Sequence, residues 1–261
     1  MKNFYNSLNI NHIQLLQWLQ AWLKASQPCP MCATPAQKYQ HEYWSEPKTG
    51  HAPFCNDCAA ALPWYTSSRC PQCALPTLNG DYCGICLQHP PAFDRTFAPF
   101  RYAYPLDRLL QQFKYHQQLP IGKLITEAVL PHLPTLLAAN IPDVMIAMPM
   151  HTQRVRQRGF NHALELAKHL QKALKIPLDI DGCTRVMDTP SQAGMDMKTR
   201  IRNLRGAFAS PKDWQGKHVL VVDDVMTTGA SMHALAKVLK QAGAGQVSAL
   251  VFARTLKSTE E

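Results

Sequence analysis

Residues 219–235 of the chain read VLVVDDVMTTGASMHAL, and this stretch sets the interpretation of the rest. Its four leading apolar residues are typical of a buried strand, and a helical pattern follows the Thr-Thr-Gly turn. Gly229 permits a tight turn, and Thr227, Thr228 and Ser231 add hydroxyls beside the backbone N–H groups that open the helix. A turn of this kind at a helix N-terminus predicts an anion-binding site.

Two carboxylates, Asp223 and Asp224, come directly before this turn. They would repel a bound phosphate unless they faced another group, and sugar hydroxyls or a phosphate-bound Mg²⁺ meet that need. The sequence contains no Gly-Lys-Ser or Gly-Lys-Thr, which excludes the Walker loop of ATPases. The stretch therefore predicts a site for a phosphorylated ribose. Pairing of the two acids with Lys or Arg side chains is the alternative.

Short apolar runs alternate with helical patterns in the C-terminal half, with VMIAMPM at 144–150 and QVSALVFA at 246–253. Alternation of this kind predicts a parallel α/β sheet whose ligands bind at the carboxyl ends of the strands. Residues 151–159 are predicted to form a basic loop, and a further strand is expected near Leu178 and Ile180. Residues 184–208 are polar and basic and are predicted to form a mobile loop and a turn.

Eight of the nine cysteines form four Cys-x-x-Cys pairs. A structural zinc site takes four thiolates, so the pattern predicts two zinc ions. Pairing of neighbours leaves spacers of 22 and 9 residues, and an interleaved pairing is also open. The spacing and the lack of a recognisable secretory signal favour zinc over disulfides and predict a cytoplasmic location. The predicted ligands are Cys29, Cys32, Cys55, Cys58, Cys70, Cys73, Cys83 and Cys86.

The composition describes a globular, basic chain of 261 residues, with 46% hydrophobic residues and a net charge of +9. No apolar run approaches the roughly 18 residues of a membrane span. The positive charge favours phosphate-bearing partners such as nucleotides, nucleic acid or a lipid surface. We expect an amphipathic helix at 1–27, a double zinc ribbon at 28–90, a connector with helical segments at 91–142 and an α/β domain at 143–261.

The stretch VLVVDDVMTTGAS resembles the phosphoribosyl-pyrophosphate (PRPP) signature of type I phosphoribosyltransferases. With the ribbons and the basic segments, it is similar to the ComF/GntX family, in which a double zinc ribbon precedes a phosphoribosyltransferase-like domain. The family's Arg-x-x-x-Arg-Gly-Phe-Asn-Gln pattern matches residues 154–162, except that His162 replaces Gln. A loop pattern of the family matches at Thr189, Gln192, Arg200, Asn203, Ala207 and Phe208, with Met195 in place of Leu.

The resemblance implies an α/β fold, a parallel-sheet type I phosphoribosyltransferase-like domain preceded by a small zinc-ribbon domain. It assigns the ribose hydroxyls to Asp223 and Asp224. The residues that it assigns to the 5-phosphate are Thr227, Thr228, Gly229, Ala230 and Ser231. The residues assigned to Mg²⁺-bound pyrophosphate or to a DNA phosphate are Arg154, Arg158, Gly159 and Arg200.

The resemblance further implies the handling of incoming single-stranded DNA in natural transformation or DNA utilization. Because small zinc modules often present partner surfaces, the ribbons are also expected to dock another DNA-processing protein, such as a DNA helicase or recombination protein. The arginine-rich segments at 154–158 and 198–205 agree with phosphate contacts along a strand. Aromatic side chains near them are expected to be base-stacking faces or core residues, namely Tyr102, Tyr104, Phe113 and Phe160. The alternative is an active Mg²⁺-dependent transferase that moves phosphoribose from PRPP to an unidentified base.

Overall fold

The computed structural model describes residues 28–34, 54–133, 137, 141–188 and 203–256. The helix predicted at 1–27 and residues 189–202, with Arg200, lie outside the described residues. The chain divides into two units, Met1–Ala61 and Leu62–Glu261. This division separates the first two Cys-x-x-Cys pairs from the last two.

In the first unit, a tight turn carries the first cysteine pair. Cys29 N donates to Thr34 O at 2.9 Å, and Ala33 N donates to Cys29 O at 2.8 Å. Helix α1 (Asn56–Ala61) begins just after Cys55. Cys55 N donates to Cys29 Sγ at 3.5 Å, which joins the second cysteine pair to the first.

The second unit is built on a five-stranded parallel sheet, with the neighbour order β1, β7, β6, β3 and with β2 also paired to β7. The central strands are apolar along almost their whole length, and residues 219–222 and 247–253 are buried. Such continuous burial is typical of strands that are covered on both faces. The strands of this sheet are β1 (Arg95–Phe97), β2 (Phe100–Arg101), β3 (Val144–Ala147), β6 (His218–Met226) and β7 (Gln246–Arg254). Two further short strands, β4 (Thr184–Arg185) and β5 (Phe208–Ala209), form a separate antiparallel pair.

Helices cover this sheet through apolar faces at helical spacing. In α3, for example, Leu106, Leu110 and Phe113 are all buried. Helix α6 packs against β3 and β6, and α4 packs against α6 and α3. The helices are α2 (Gly84–Gln88), α3 (Leu106–Tyr115), α4 (Leu119–Val129), α5 (Thr152–Arg158), α6 (His162–Leu174) and α7 (Ala230–Gln241), with a 3-10 turn at Leu130–His132.

Three segments differ from the sequence expectation. The basic stretch predicted to be a loop forms α5, which ends at Gly159 with a left-handed φ of 86°. A glycine can adopt this conformation without a Cβ clash, and it commonly ends a helix. The chain therefore turns at Gly159, after α5, and not directly after β3. The strand expected near Leu178 is reduced to one parallel bridge with Met145. The predicted connector at 91–142 supplies β1 and β2 to the sheet.

The register of the sheet brings two loops together. Ala147, the last residue of β3, pairs with Val222, and Met148 N donates to Val222 O at 2.8 Å. The chain that leaves β3 therefore runs beside Asp223 and Asp224 at the carboxyl ends of the strands. No helix in the described part of the chain is long and apolar enough to cross a membrane.

Candidate functional site

A cavity of about 140 Å³ opens at the carboxyl ends of β3 and β6. It lies where ligands of open parallel sheets bind. Its polar lining comes from α3, α5, the start of α6 with the residue before it, β4, the end of β6 and the start of α7, and the segment after β3 adds apolar residues. The lining residues are Lys114, Met148, Pro149, Met150, Arg154, Arg158, Asn161, His162, Ala163, Arg185, Asp223, Asp224 and Ser231.

An ion pair forms the floor of this cavity. Lys114 Nζ lies 2.8 Å from Asp224 Oδ2, and both side chains are largely buried. Burial alone would lower the pKa of Lys114, but the carboxylates of Asp224 and Asp223 outweigh it and raise that pKa above its usual value. Lys114 therefore stays a cation and compensates the acid pair.

His162 stands beside the same carboxylate, with Nδ1 at 4.0 Å from Asp224 Oδ2. Burial lowers the pKa of His162 to about 4, although the charge of Asp224 opposes this shift. The ring is therefore neutral at physiological pH. Its Nε2 is buried without a hydrogen-bond partner among the described residues. The residue that departs from the family pattern thus presents an imidazole to the cavity, where Gln would present an amide.

Asp223 binds its proton more strongly than an ordinary aspartate. Burial, reinforced by the like charge of Asp224, raises the pKa of Asp223 to about 7. The folded chain therefore holds a proton on this carboxyl between the ordinary Asp pKa and about pH 7, a range in which the unfolded chain does not. Folding stability tied to Asp223 consequently falls as the pH rises through this range.

The cavity has a positive balance, because four cations line it against two acids. Arg154 Nε pairs with Asp188 Oδ1 at 3.1 Å, and the Arg158 guanidinium lies over the Tyr115 ring at 5.2 Å. Burial lowers the pKa of Arg185, and a guanidinium stays charged despite such a shift. A cluster of this kind suits an anion whose hydroxyl groups donate hydrogen bonds to the acids.

The Thr-Thr-Gly turn connects β6 to α7 as the sequence predicts. Gly229 has a left-handed φ of 78° and precedes the first residue of the helix. Ala230 N donates to Thr228 Oγ1 at 3.4 Å. Arg254 Nη1 donates to Met226 O at 3.0 Å and to Thr227 O, so these hydrogen bonds fix the two carbonyls at the start of the turn.

Sequence reasoning found part of this cavity. Of the predicted site residues, five line it, namely Arg154, Arg158, Asp223, Asp224 and Ser231. Thr227, Thr228, Gly229 and Ala230 form the adjoining turn, Gly159 ends α5, and Arg200 lies outside the described residues. Lys114, Arg185 and Arg254 were missed, since only the folded sheet brings them to the signature. The weak signal for Lys114 was a lysine inside an apolar helix pattern.

The aromatic residues divide into core and surface. Phe113 is fully buried and packs against Phe160, with ring centroids 5.5 Å apart, so it is a core residue and offers no stacking face. Tyr104 is 77% exposed, and Tyr115 is 62% exposed beside Arg158 at the cavity. Tyr115 is therefore the exposed ring next to the cationic cavity, and sequence reasoning did not single it out.

The eight paired cysteines form two quartets of neighbours, as the first of the two open pairings predicted. The quartets are Cys29, Cys32, Cys55 and Cys58, and Cys70, Cys73, Cys83 and Cys86. Within each quartet the sulfur atoms lie within 4.8 Å of one another. Tetrahedral zinc at a Zn–S distance of about 2.3 Å needs sulfur atoms about 3.8 Å apart. Both donor sets therefore fit a structural zinc ion.

Removal of the Lys114 charge is expected to destabilise the fold. Lys114→Met leaves the buried Asp224 carboxylate without its counter-charge, and we expect the free energy of unfolding to fall by about 3 kcal/mol. Urea denaturation at neutral pH measures this loss. The double variant Lys114→Met/Asp224→Asn should recover part of it, because the stranded charge is gone.

Lys123→Met is the matched control. Lys123 pairs with Glu127 at 3.6 Å on the solvent-facing side of α4, where its side chain is 56% exposed. An exposed pair of this kind contributes at most about 1 kcal/mol. Equal losses for the two lysine variants would contradict the assignment of Lys114 as the compensating cation.

The chain is similar in sequence to known proteins. Residues 157–261 match the model of the phosphoribosyl transferase domain. A DNA utilization protein, YhgH of Shigella flexneri, is 33% identical over 211 residues, which cover 79% of this chain and 92% of that protein. Competence protein F of Haemophilus influenzae is 30% identical over 210 residues, which cover 77% of this chain and 85% of that protein.

Among solved structures, a purine phosphoribosyltransferase from Pyrococcus horikoshii is 18% identical, with a TM-score of 0.33 over 50% of this chain and 73% of that chain. The domain match and the parallel sheet give the fold: an α/β phosphoribosyltransferase-like domain with cysteine clusters ahead of it that suit zinc ribbons. From its likeness to the DNA utilization and competence proteins over most of their length, the chain belongs to the ComF/GntX family.

Proposed function

We propose that this protein handles incoming single-stranded DNA in natural transformation or DNA utilization, in the cytoplasm, on a scaffold that binds PRPP or another ribose 5-phosphate ligand. One observation carries the proposal: four cations and two acids line one cavity beside the Thr-Thr-Gly turn. The names of the relatives, which refer to DNA utilization and competence, support the biological setting.

The charge pattern supports a ligand that combines phosphate with hydroxyls. Arg154, Arg158 and Arg185 bind the anionic part, and the turn at 227–231 supplies backbone and hydroxyl donors. Asp223 and Asp224 accept hydrogen bonds from the ribose hydroxyls. A pyrophosphate carried by PRPP would bring Mg²⁺, whose preferred ligands are oxygen atoms. Free phosphate alone would offer no sugar hydroxyl to donate a hydrogen bond to the two acids.

The same surface supports a nucleic-acid strand. Arg158 and Tyr115 form a cation–π pair at the cavity, so a phosphate and a base face have adjacent partners. Tyr104 adds a second exposed ring in the connector before α3. The cysteine quartets would present small zinc-stabilised surfaces to a DNA helicase or recombination protein. Transfer of phosphoribose to a base is the alternative, and it requires an acceptor as well as PRPP.

The metal content is the first test. We expect about two zinc ions per chain, because two closed quartets each supply four thiolates. Metal analysis of the purified chain measures this number. Cys58→Ser and Cys83→Ser should each lower it to about one. Fewer than one ion in the wild type would contradict the zinc assignment.

Ligand binding tests the ribose-phosphate site. Calorimetric titration with ribose 5-phosphate, and with PRPP plus Mg²⁺, should show saturable binding to the wild type. At about pH 8, above the pKa of about 7 at Asp223, Asp223→Asn should weaken it about tenfold, because a hydrogen bond from a ribose hydroxyl to a carboxylate is stronger than one to a neutral amide. Asp181→Asn changes an exposed carboxylate and should leave the affinity unchanged.

The same samples separate binding from transfer. Pyrophosphate release with a panel of bases would favour the transferase. Saturable binding without release would favour the DNA-handling scaffold. The absence of binding to the wild type would remove the ribose-phosphate site from the proposal.

Single-strand binding is tested through its salt dependence. Arg154→Ala/Arg158→Ala should weaken the binding of a labelled oligonucleotide. The negative slope of log affinity against log salt should become shallower by about 0.7 for each phosphate that the protein no longer neutralises. Lys172→Ala/Lys175→Ala removes the same charge at the far end of α6 and should change neither. Equal effects of the two double variants would indicate attraction by net charge alone.

A further inference from the structure

The second cysteine quartet lies against the sheet, and its first knuckle is bonded to it. Thr96 N in β1 donates to Pro71 O at 3.0 Å, and Thr96 Oγ1 donates to Gln72 O at 2.6 Å. Gln72 Nε2 returns two bonds, to Pro91 O at 3.2 Å and to Phe93 O at 2.9 Å. The knuckle at 70–73 is therefore fixed to the strand and to the segment before it.

A buried arginine connects this knuckle to the Thr-Thr-Gly turn. Arg254, the last residue of β7, is only 3% exposed. Its Nε donates to Cys73 O at 2.9 Å. Its Nη1 donates to Met226 O at 3.0 Å and to Thr227 O. One rigid, planar guanidinium thus bonds both the backbone of a metal-ligand residue and the backbone that enters the turn.

A second connection runs through Phe93. Its carbonyl accepts from Gln72, and its ring lies beneath the turn, where a Cβ added at Gly229 would meet Phe93 Cζ at 3.6 Å. The preceding Ala92 N donates to His233 Nδ1 in α7 at 3.0 Å. Because these residues form a packed and hydrogen-bonded layer, a change in the knuckle displaces the support of the turn.

We propose that Arg254 is a positioning residue that couples the metal-bound state of the second quartet to the conformation of the turn at 226–231. The second quartet then serves the phosphate site, besides stabilising its own ribbon. The coupling rests on metal binding by Cys70, Cys73, Cys83 and Cys86, as put forward above, and it does not require that the ligand be PRPP.

Hydrogen exchange of the full chain, followed by mass spectrometry, tests the coupling without any ligand. Cys83→Ser, at the half-exposed start of α2, should speed amide exchange in residues 226–231 at least about threefold, because the turn loses its support. Cys58→Ser removes the other metal site and should leave these residues unchanged. Zinc content measured in parallel identifies which site each variant has lost.

Arg254→Met isolates the arginine. It should speed exchange in the turn to the same extent while both metal ions stay bound, and Cys83→Ser added to it should give little further increase. Arg69→Met is the matched control, since Arg69 Nη1 bonds Ala98 O at 2.8 Å and none of its bonds reaches the turn. Arg254→Lys keeps the positive charge but loses the planar set of guanidinium donors. Amide exchange in the turn should then be intermediate between the wild type and Arg254→Met.

Three outcomes overturn the coupling: unchanged exchange in Cys83→Ser, equal changes in Cys58→Ser and Cys83→Ser, or equal changes in Arg69→Met and Arg254→Met. Should Arg254→Met fail to fold, the two cysteine variants still decide. A chain that binds two metal ions and no ribose phosphate would contradict the ligand proposal and leave the exchange test intact. A wild-type chain without metal would end both the zinc assignment and the coupling.

Discussion

The arrangement of the site depends on two adjacent carboxyl groups near the end of the central strand, of which Asp224 is buried and Asp223 is half-buried. Strand β6 carries Asp223 and Asp224 out of an apolar core, where unpaired charge is costly. The fold meets that cost in two ways. Lys114 supplies a counter-charge to Asp224 at 2.8 Å, and burial raises the pKa of Asp223 so that it binds a proton near neutral pH.

This constraint explains why the surrounding elements lie where they do. Helix α3 must bring Lys114 to the strand end, and its apolar residues Leu110 and Phe113 fix its depth in the core. Helix α6 brings the neutral ring of His162 to the same carboxylate. The three arginines line the cavity around the Lys114–Asp224 ion pair and give the cavity a positive net charge. In the proposed function, this compensated acid pair faces a ribose and the surrounding cations bind a phosphate.

The second cysteine quartet and the cavity belong to one hydrogen-bonded system in the second unit. Its quartet is hydrogen-bonded to β1, to the segment before it and, through Arg254, to the turn after β6. Small zinc modules commonly gain most of their folding energy from the ion. Here a cysteine quartet that suits zinc stands behind the Thr-Thr-Gly turn, and the proposed coupling would give a structural reason for a ribbon and a phosphoribosyltransferase-like sheet to share one chain.

The sequence by itself determined the local chemistry: the strand, acid pair and turn around Asp223, and the cysteine knuckles with their metal preference. These follow from residue type and spacing over a few positions, which the backbone cannot rearrange. Only the tertiary structure decided that neighbouring knuckles share a site, that residues 152–158 form a helix, and that Lys114, Arg185 and Arg254 reach the signature. Lys114 lies far from Asp224 along the chain, and their pairing is set by helix packing and sheet register, which no short pattern encodes.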